Sequence, residues 1–123
     1  MTTLEIAKKY VELCRAHQNH VALDTLFSPD AVSVEARAMP GSPAEARGLK
    51  AIAEKGKQWM SDHEVHSSKL EGPWPHGNRF AVRLTYDVTN KPSGRRMQMD
   101  EIGLFTVEND KIVREEFFYS TEG

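Results

Sequence analysis

Hydrophobic and polar positions alternate most regularly in residues 95–120, and this stretch predicts two long strands joined by a tight turn. Side chains of an extended strand point alternately to its two faces, so every second residue from Met97 to Val107 shares one face. Both faces turn apolar from Ile102 onward, which indicates a central strand that is covered on both sides. Residues 108–111 contain Asn and Asp, which tolerate a left-handed backbone, and predict the turn.

Glu101 interrupts the apolar face of the first of these strands, where its neighbours are Met, Gly and Phe. An ionised carboxylate without a partner is costly in apolar surroundings. We therefore expect Glu101 to be paired, protonated or in contact with a wet cavity. Two interpretations stay open: a pocket carboxylate, and a structural ion pair with Arg83, Arg79 or a helix residue.

Apolar residues spaced three and four apart predict three helices earlier in the chain. The first covers residues 2–16, where Thr2 and Glu5 fit a capping box. A second, short helix is predicted to be capped by Asn19 and stopped by residues 28–30. The third runs from about Leu49 to Asp62 and has Trp59 on its apolar stripe.

The remaining segments predict strands and loops. Residues 31–35 and 63–71 predict short strands, and residues 79–89 predict a clear strand with Tyr86 on its apolar face. Residues 36–48 and 72–78 are rich in Gly and Pro and predict irregular loops. Helices that come early and antiparallel strands that come late are typical of an α+β fold, in which the sheet curls around the helices and leaves a conical pocket.

The 123 residues are expected to form one domain, residues 1–123. A net charge of −2 gives no support for nucleic acid or a membrane surface as a partner. Cys14 is the only cysteine, and no signal peptide or membrane-spanning run is present, which together predict a cytoplasmic protein. The five histidines lack zinc spacing and the common nucleotide-binding and nucleophile motifs are absent, so we expect no metal ion and no cofactor.

Four segments resemble the nuclear transport factor 2-like superfamily: AKKYVEL, LFSPDAVSVE, GLKAI and VENDKIVREEFFYS. FAVRLTYDVTNKPSGRRMQMDEI and EEFFY are similar to an uncharacterised SnoaL-like branch that is related to the ketosteroid isomerases. The resemblance implies a cone-shaped α+β barrel, with three N-terminal helices packed in a strongly curved, mostly antiparallel sheet. We also expect a homodimer formed through the sheet. The superfamily hosts isomerases, cyclases, hydrolases, dehydratases and non-catalytic binders, so the resemblance specifies the fold more than the function.

The resemblance also suggests roles for individual residues. Tyr10 matches the helix tyrosine with which the isomerases donate a hydrogen bond to an enolate oxygen, and Glu35 falls where they place their general-base aspartate. Their second oxyanion donor, an aspartic acid, corresponds to Gly103, with Glu101 two residues earlier on the same face. This departure weighs against isomerase activity. Phe117 stands where the epoxide hydrolases of the superfamily have a catalytic aspartate, which weighs against that reaction.

Simpler interpretations of the same residues stay open. Glu35 fits a glutamate in water at the rim of the sheet, and Tyr10 fits a core tyrosine with a bonded hydroxyl. The role of Tyr10 as a donor requires that Glu35 faces the same space. Of the two adjacent glutamates, Glu115 rather than Glu116 is predicted to face inward, because it shares the parity of Phe117.

The sequence leaves open whether the protein is an enzyme. The first hypothesis is a cofactor-independent isomerase or lyase that acts on a small apolar carbonyl compound, with Glu35 or Glu101 as base and Tyr10 as oxyanion donor. The side chains expected to line its pocket are Trp59, Tyr86, Met99, Glu115 and Phe117. The alternatives are a non-catalytic protein that binds a small hydrophobic molecule, and an association domain whose cavity is filled by its own side chains. An open pocket in which Glu35 and Tyr10 converge would favour the enzyme, an open pocket without that convergence would favour the binding protein, and a filled cavity would favour the association domain.

Overall fold

Three helices and six strands make up the part of the chain described by the computed structural model, which covers residues 1–38 and 43–120. In chain order these are α1 (Thr3–Arg15), α2 (Asn19–Leu26), β1 (Phe27–Val34), β2 (Glu45–Arg47), α3 (Leu49–Asp62), β3 (His63–His76), β4 (Arg79–Asn90), β5 (Arg95–Glu108) and β6 (Lys111–Phe118). No described helix has both the length and the apolar character needed to cross a membrane.

The helices begin where local side-chain and backbone chemistry allows. Thr2 and Glu5 form the predicted capping box at the start of α1, with both hydrogen bonds at 3.1 Å. The predicted cap of α2 is wrong: Asn19 is the first helical residue, and Gln18 precedes it without a side-chain cap. His17 explains the difference, because its left-handed backbone (φ 59°) already turns the chain between the two helices. Gly48, with φ 85°, precedes α3.

The strands form one curved sheet in the order β2-β1-β6-β5-β4-β3. β1 and β6 are parallel, and every other neighbouring pair is antiparallel. β2 and β3 are the two edges, so the sheet is open rather than closed into a barrel. The predicted α+β fold, with three helices packed in a mostly antiparallel curved sheet, is therefore confirmed.

Three of the predicted segment boundaries are wrong. The predicted loop 36–48 contains the short strand β2, although residues 39–42 lie outside the described part. The predicted loop 72–78 is crossed by β3, which continues to His76 because its register shifts between Glu71 and Trp74. α2 ends at Leu26, before residues 28–30 as predicted, but β1 begins at Phe27 rather than at Ala31. Pro29 is tolerated there because the pairing of β1 with β6 is interrupted between Phe27 and Val32.

The concave face of the sheet and the helices enclose the core. Alternate residues of β5 are buried, including Phe105, and the rings of Phe80 and Phe105 stack at 4.7 Å. The opposite face of β5 is not covered in the single chain, since Ile102 is 41% exposed and Phe118, its partner on β6, is 49% exposed. The prediction that β5 is covered on both sides is therefore wrong for one chain on its own.

Candidate functional site

Six polar side chains from β1, α3, β5 and the β6 end of the chain gather on the concave side of the sheet. We call them the inner polar cluster: Ser33, Glu35, Lys55, Glu101, Glu115 and Tyr119. Strand register explains the gathering. Ser33 lies opposite Glu115 in the parallel β1–β6 pair, and Gly103 lies opposite Phe117 in the β5–β6 pair. Glu101 and Tyr119 follow two residues further along the same faces.

Lys55 is the cation of the inner polar cluster. It shares one face of α3 with Ile52 and Trp59, at spacings of three and four, so its stem lies along the apolar side of the helix. Its Nζ lies 2.7 Å from Glu35 Oε1 and donates a hydrogen bond to Ser33 Oγ at 2.6 Å. The Lys55 and Glu35 side chains are 25% and 24% exposed, so this ion pair is largely removed from water.

Glu35 uses both of its carboxylate oxygens. Oε1 accepts from Lys55, and Oε2 accepts a hydrogen bond from the Tyr119 hydroxyl at 3.1 Å. Burial, followed by the charge of Glu35, raises the pKa of Tyr119 to about 12, which keeps this hydroxyl protonated as a donor. Glu35 is thus neither alone nor in bulk water at the rim. It is a carboxylate held by two donors.

Glu101 is half-buried, and it makes no hydrogen bond or ion pair with any residue in 1–38 or 43–120. Arg83, one of the partners considered for Glu101 from the sequence, is paired with Asp100 instead: its Nη2 lies 2.7 Å from Asp100 Oδ2. Burial raises the pKa of Glu101 to about 7. The negative charge of Glu35 adds to that rise and the positive charge of Lys55 opposes it. A carboxyl in this state can accept a proton near neutral pH.

Glu115 is the most deeply placed carboxyl of the cluster, with 7% of its surface exposed. Burial raises its pKa, while a hydrogen bond with Ser33 and the charge of Lys55 act in the opposite direction. Three carboxyl groups of the cluster therefore share one ammonium. Lys55 is paired with Glu35, so Glu101 and Glu115 have a reason to hold protons.

Tyr10 lies in the aromatic core. Its ring centroid is 4.6 Å from that of Phe105 and 6.0 Å from that of Phe80, and the residue is 7% exposed. Its hydroxyl hydrogen-bonds with Cys14, and burial raises the pKa of Tyr10 well above the ordinary value. The charged or ionisable groups that act on it are Cys14, Glu115 and Tyr86. No interaction joins Tyr10 to Glu35 or Glu101 within the described residues.

Aromatic side chains border the inner polar cluster. Trp59 contacts Tyr86 at a centroid distance of 5.3 Å and stacks on His63 at 4.4 Å. The pKa of Tyr86 is raised to about 12 by burial and then by the charge of Glu101, which places these two residues near each other. Met99 lies opposite Tyr86 in the β4–β5 register. The ring of Phe117 lies 5.3 Å from Lys55 Nζ.

Gly103 marks a local departure from the isomerases. A Cβ atom at this position would lie 3.1 Å from the Phe105 ring, 3.3 Å from Val82 and 3.4 Å from the Phe117 ring. An aspartic acid would not fit there without movement of packed side chains. The second oxyanion donor that the resemblance implies would therefore require the side chains of Phe105 and Val82 to shift by a few tenths of an ångström.

Three members of the inner polar cluster were missed in the sequence: Ser33, Lys55 and Tyr119. Lys55 could have been found, because it stands on the apolar stripe of α3 just as Glu101 stands on the apolar face of β5. Ser33 and Tyr119 carry weaker signals. Ser33 lies two residues from Glu35, and Tyr119 lies two residues from Phe117, so each shares a strand face with a suspected site residue.

Two shallow grooves lie away from the inner polar cluster. One, of about 280 Å³, runs between α1 and β3 beside Arg15 and Pro73. The other, of about 180 Å³, lies on the convex face beside Trp74 and Leu104. Neither is lined by a member of the cluster. In the described residues no three His, Cys, Asp or Glu side chains come together as metal ligands.

Comparison with known proteins places this arrangement in a family. A family model described as SnoaL-like domain matches residues 1–119. A crystal structure from Mesorhizobium loti, of a protein named as a candidate SnoaL-like polyketide cyclase and, in brackets, as a carbohydrate phosphatase, is 43% identical. It aligns over 97% of this chain and 100% of that chain with a TM-score of 0.90. No curated protein matches the chain by sequence.

More distant structures share the fold. An NTF2-like protein of Burkholderia thailandensis is 17% identical over 98% of this chain and 92% of that chain, with a TM-score of 0.84. A Catenulispora acidiphila protein with a ketosteroid isomerase-like fold, in complex with trimethylamine, is 19% identical over 95% of this chain and 86% of that chain, with a TM-score of 0.71. At these identities the likeness extends to the fold alone.

Proposed function

Since the chain belongs to the SnoaL-like family, we propose that it is a cofactor-independent isomerase or lyase that acts on a small, mostly apolar carbonyl compound. Glu101 is the general base. The observation that carries this proposal is the position of the half-buried Glu101 carboxyl, which has no hydrogen-bond or ion-pair partner among the described residues and whose pKa burial raises to about 7. General bases work best when their pKa lies near the ambient pH.

In the proposed reaction Glu101 removes a proton from the carbon next to the carbonyl, and the electron pair moves onto the carbonyl oxygen. The enolate then takes a proton at another carbon, which completes an isomerisation, or expels a leaving group, which completes an elimination. Glu101 becomes neutral when it accepts the proton. This relieves its repulsion from Glu35, the charge that contributes to its raised pKa.

The other suggested residues take different parts. Glu35 is a positioning residue in this scheme, because Lys55 and Tyr119 occupy both of its oxygens. Tyr10 is a core residue, because its hydroxyl is bonded to Cys14. The apolar body of the substrate would contact Trp59, Tyr86, Met99 and Phe117, with Glu115 beneath them. Polyketides carry repeated carbonyl groups, so the polyketide cyclase part of the Mesorhizobium loti relative's name agrees with a carbonyl substrate, whereas its second part, carbohydrate phosphatase, names a different chemistry.

Hydrogen–deuterium exchange into a ketone tests the base. We expect the protein to accelerate the exchange of the α-protons of 2-tetralone in D₂O. The exchange is measured as the loss of the NMR signals of these protons. Glu101→Gln should reduce that acceleration by about 10²- to 10⁴-fold. Glu116→Gln is a matched control, since that carboxylate lies on β6 and is paired with Arg114 at 3.1 Å. If the Glu101→Gln variant exchanges the 2-tetralone protons at the wild-type rate, Glu101 is excluded as the base.

A second candidate function is non-catalytic binding of a small hydrophobic molecule. It is favoured because Glu35 and Tyr10 do not converge: no interaction joins them within the described residues, and the Tyr10 ring packs against Phe105 in the core. A wild-type protein that binds 2-naphthol, the aromatic analogue of enolised 2-tetralone, and exchanges no α-proton would support this candidate over the enzyme.

We also propose that the chain forms a homodimer through the convex face of the sheet. Trp74, Ile102 and Phe118 are exposed by 52%, 41% and 49%, and the register places Ile102 directly beside Phe118. Apolar side chains clustered on one sheet face are typical of protein interfaces. A second copy of the same face would cover them symmetrically.

A further inference from the structure

We infer that Lys55 is the electrophile of this site: its ammonium donates a hydrogen bond to the carbonyl oxygen on which negative charge develops. This role deepens the proposed function and rests on it. It also assigns a catalytic part to a residue that the sequence pattern and the family resemblance both left aside.

A count of donors leaves Lys55 with one free N–H. An ammonium has three N–H donors in a tetrahedral arrangement. Glu35 Oε1 takes one at 2.7 Å and Ser33 Oγ takes another at 2.6 Å. No third acceptor for Nζ is found in residues 1–38 and 43–120. The remaining N–H points away from both acceptors, and the side chain keeps 25% of its surface exposed.

The two acceptors hold the ammonium in place before any substrate arrives. Glu35 is itself fixed by the Tyr119 hydroxyl, and Ser33 lies in β1 at 0% exposure. Phe117 borders the ammonium at 5.3 Å, a distance at which an aromatic face attracts a cation. A donor fixed in advance and partly shielded from water stabilises a developing oxyanion without reorganising.

Other donors near Glu101 are less suited to this role. Tyr119 donates its one proton to Glu35, and Tyr10 is bonded to Cys14 in the core. Tyr86 is the competitor, because its hydroxyl has no hydrogen-bond partner in the described residues and it lies near Glu101. Hydrogen bonds from a charged donor to an anion are roughly twice as strong as those from a neutral donor, which favours Lys55.

The inference is tested by the ionisation of bound 2-naphthol, which needs no turnover. The naphthol oxygen stands for the enolate oxygen, and Glu101 takes its proton. We expect wild-type protein to show the naphtholate absorbance band at a lower pH than free naphthol. Lys55→Met should move the transition back by at least about one pH unit, the equivalent of a tenfold change in the ionisation constant. Tyr86→Phe should move it much less, and Lys57→Met, an exposed lysine on α3, should not move it.

Exchange of 2-tetralone supplies the second readout. Lys55→Met is expected to lower kcat by about 10²- to 10³-fold, as when one oxyanion donor is removed. Glu35→Gln loosens the ammonium without removing it, so it should lower kcat less and leave KM within about twofold. Lys55→Met leaves the Glu35 carboxylate without its counter-ion, so the double variant Lys55→Met/Glu35→Gln is measured as well. The same loss of the naphtholate band is expected in both variants.

Several outcomes would overturn the role of Lys55. They are an absent naphtholate band in wild-type protein, an unchanged band in the double variant, or a larger loss in Tyr86→Phe than in Lys55→Met. The proposed function fails separately, if Glu101→Gln exchanges 2-tetralone as fast as wild type. A protein that loses exchange in Glu101→Gln and keeps it in Lys55→Met is an enzyme with a different oxyanion donor.

Discussion

Replacing Glu101 by glutamine keeps the size of the side chain and removes its charge. Burial and the charge of Glu35 raise the pKa of Glu101 from 4.5 to about 7. A shift of that size corresponds to about 3 kcal/mol of unfavourable free energy for the ionised form, at about 1.4 kcal/mol per unit. Because the side chain keeps contact with water, we discount this to about 1–2 kcal/mol.

The sign of the effect follows from proton linkage. The folded-state pKa of Glu101 lies above the unfolded-state value, so the folded protein holds this proton more tightly. The penalty is therefore absent below about pH 4, grows as the pH rises and is complete above about pH 7. Glu101→Gln should match wild type in stability at pH 4 and exceed it by about 1–2 kcal/mol at pH 8.5, or about 4–8 °C in Tm.

Thermal unfolding followed by circular dichroism from pH 4 to pH 8.5 checks this expectation. Asp100→Asn is the control, since Asp100 is adjacent in sequence but faces the other side of the sheet. A hydrogen bond from Arg83 lowers its pKa. That variant should lose stability at neutral pH and regain it relative to wild type as the pH falls through the acid range. A Glu101→Gln variant that is less stable at pH 8.5, or equally stabilised at every pH, would refute the desolvation of Glu101.

Four further expectations concern other parts of the molecule. Exchange of 2-tetralone by wild type should rise with pH through about 7, since Glu101 must be ionised to act as base; a flat profile contradicts this. Glu115→Gln should stabilise at neutral pH and not at pH 4 in thermal unfolding, because burial raises the pKa of Glu115; equal stability at both would contradict it. Tyr10→Phe should cost about 1 kcal/mol in denaturant unfolding and leave exchange intact; lost exchange would return Tyr10 to the site. Phe118→Glu should weaken self-association at least about 30-fold in sedimentation equilibrium, as for an interface hot spot; an unchanged association state would place the interface elsewhere.

The β5–β6 hairpin and α3 could be predicted from sequence because their signals are local. Alternation with period two and the Asn109–Asp110 turn, both residues at positive φ, lie within one continuous stretch. β2 has only three residues, and it is defined by pairing with β1. β3 continues past a Gly-Pro pair because it carries one extra residue between Glu71 and Trp74 and then pairs with β4 again. Neither feature can be read from the segment itself.

The residues of the candidate site also differ in whether the local sequence could predict them. Glu101 could be found because a carboxylate in an apolar row is unusual wherever it occurs. The pairing of Glu35 with Lys55 could not be found, because it joins the end of β1 to the middle of α3. Tyr10 had two interpretations that differ only in the bond made by its hydroxyl. That bond goes to Cys14, one turn further along α1.

The charge balance of the inner polar cluster bears on the kind of substrate it can accept. With Glu101 ionised, the cluster carries net negative charge and repels an anion, because the charge of Lys55 is already balanced by that of Glu35. A neutral ketone meets no such repulsion. When Glu101 takes its proton, negative charge moves from the carboxylate to the substrate oxygen, and the total charge of the cluster and substrate together stays the same. The folded protein already bears the electrostatic cost of the ionised Glu101 carboxylate before the substrate binds. The reaction therefore only has to move this negative charge from Glu101 to the substrate oxygen beside Lys55.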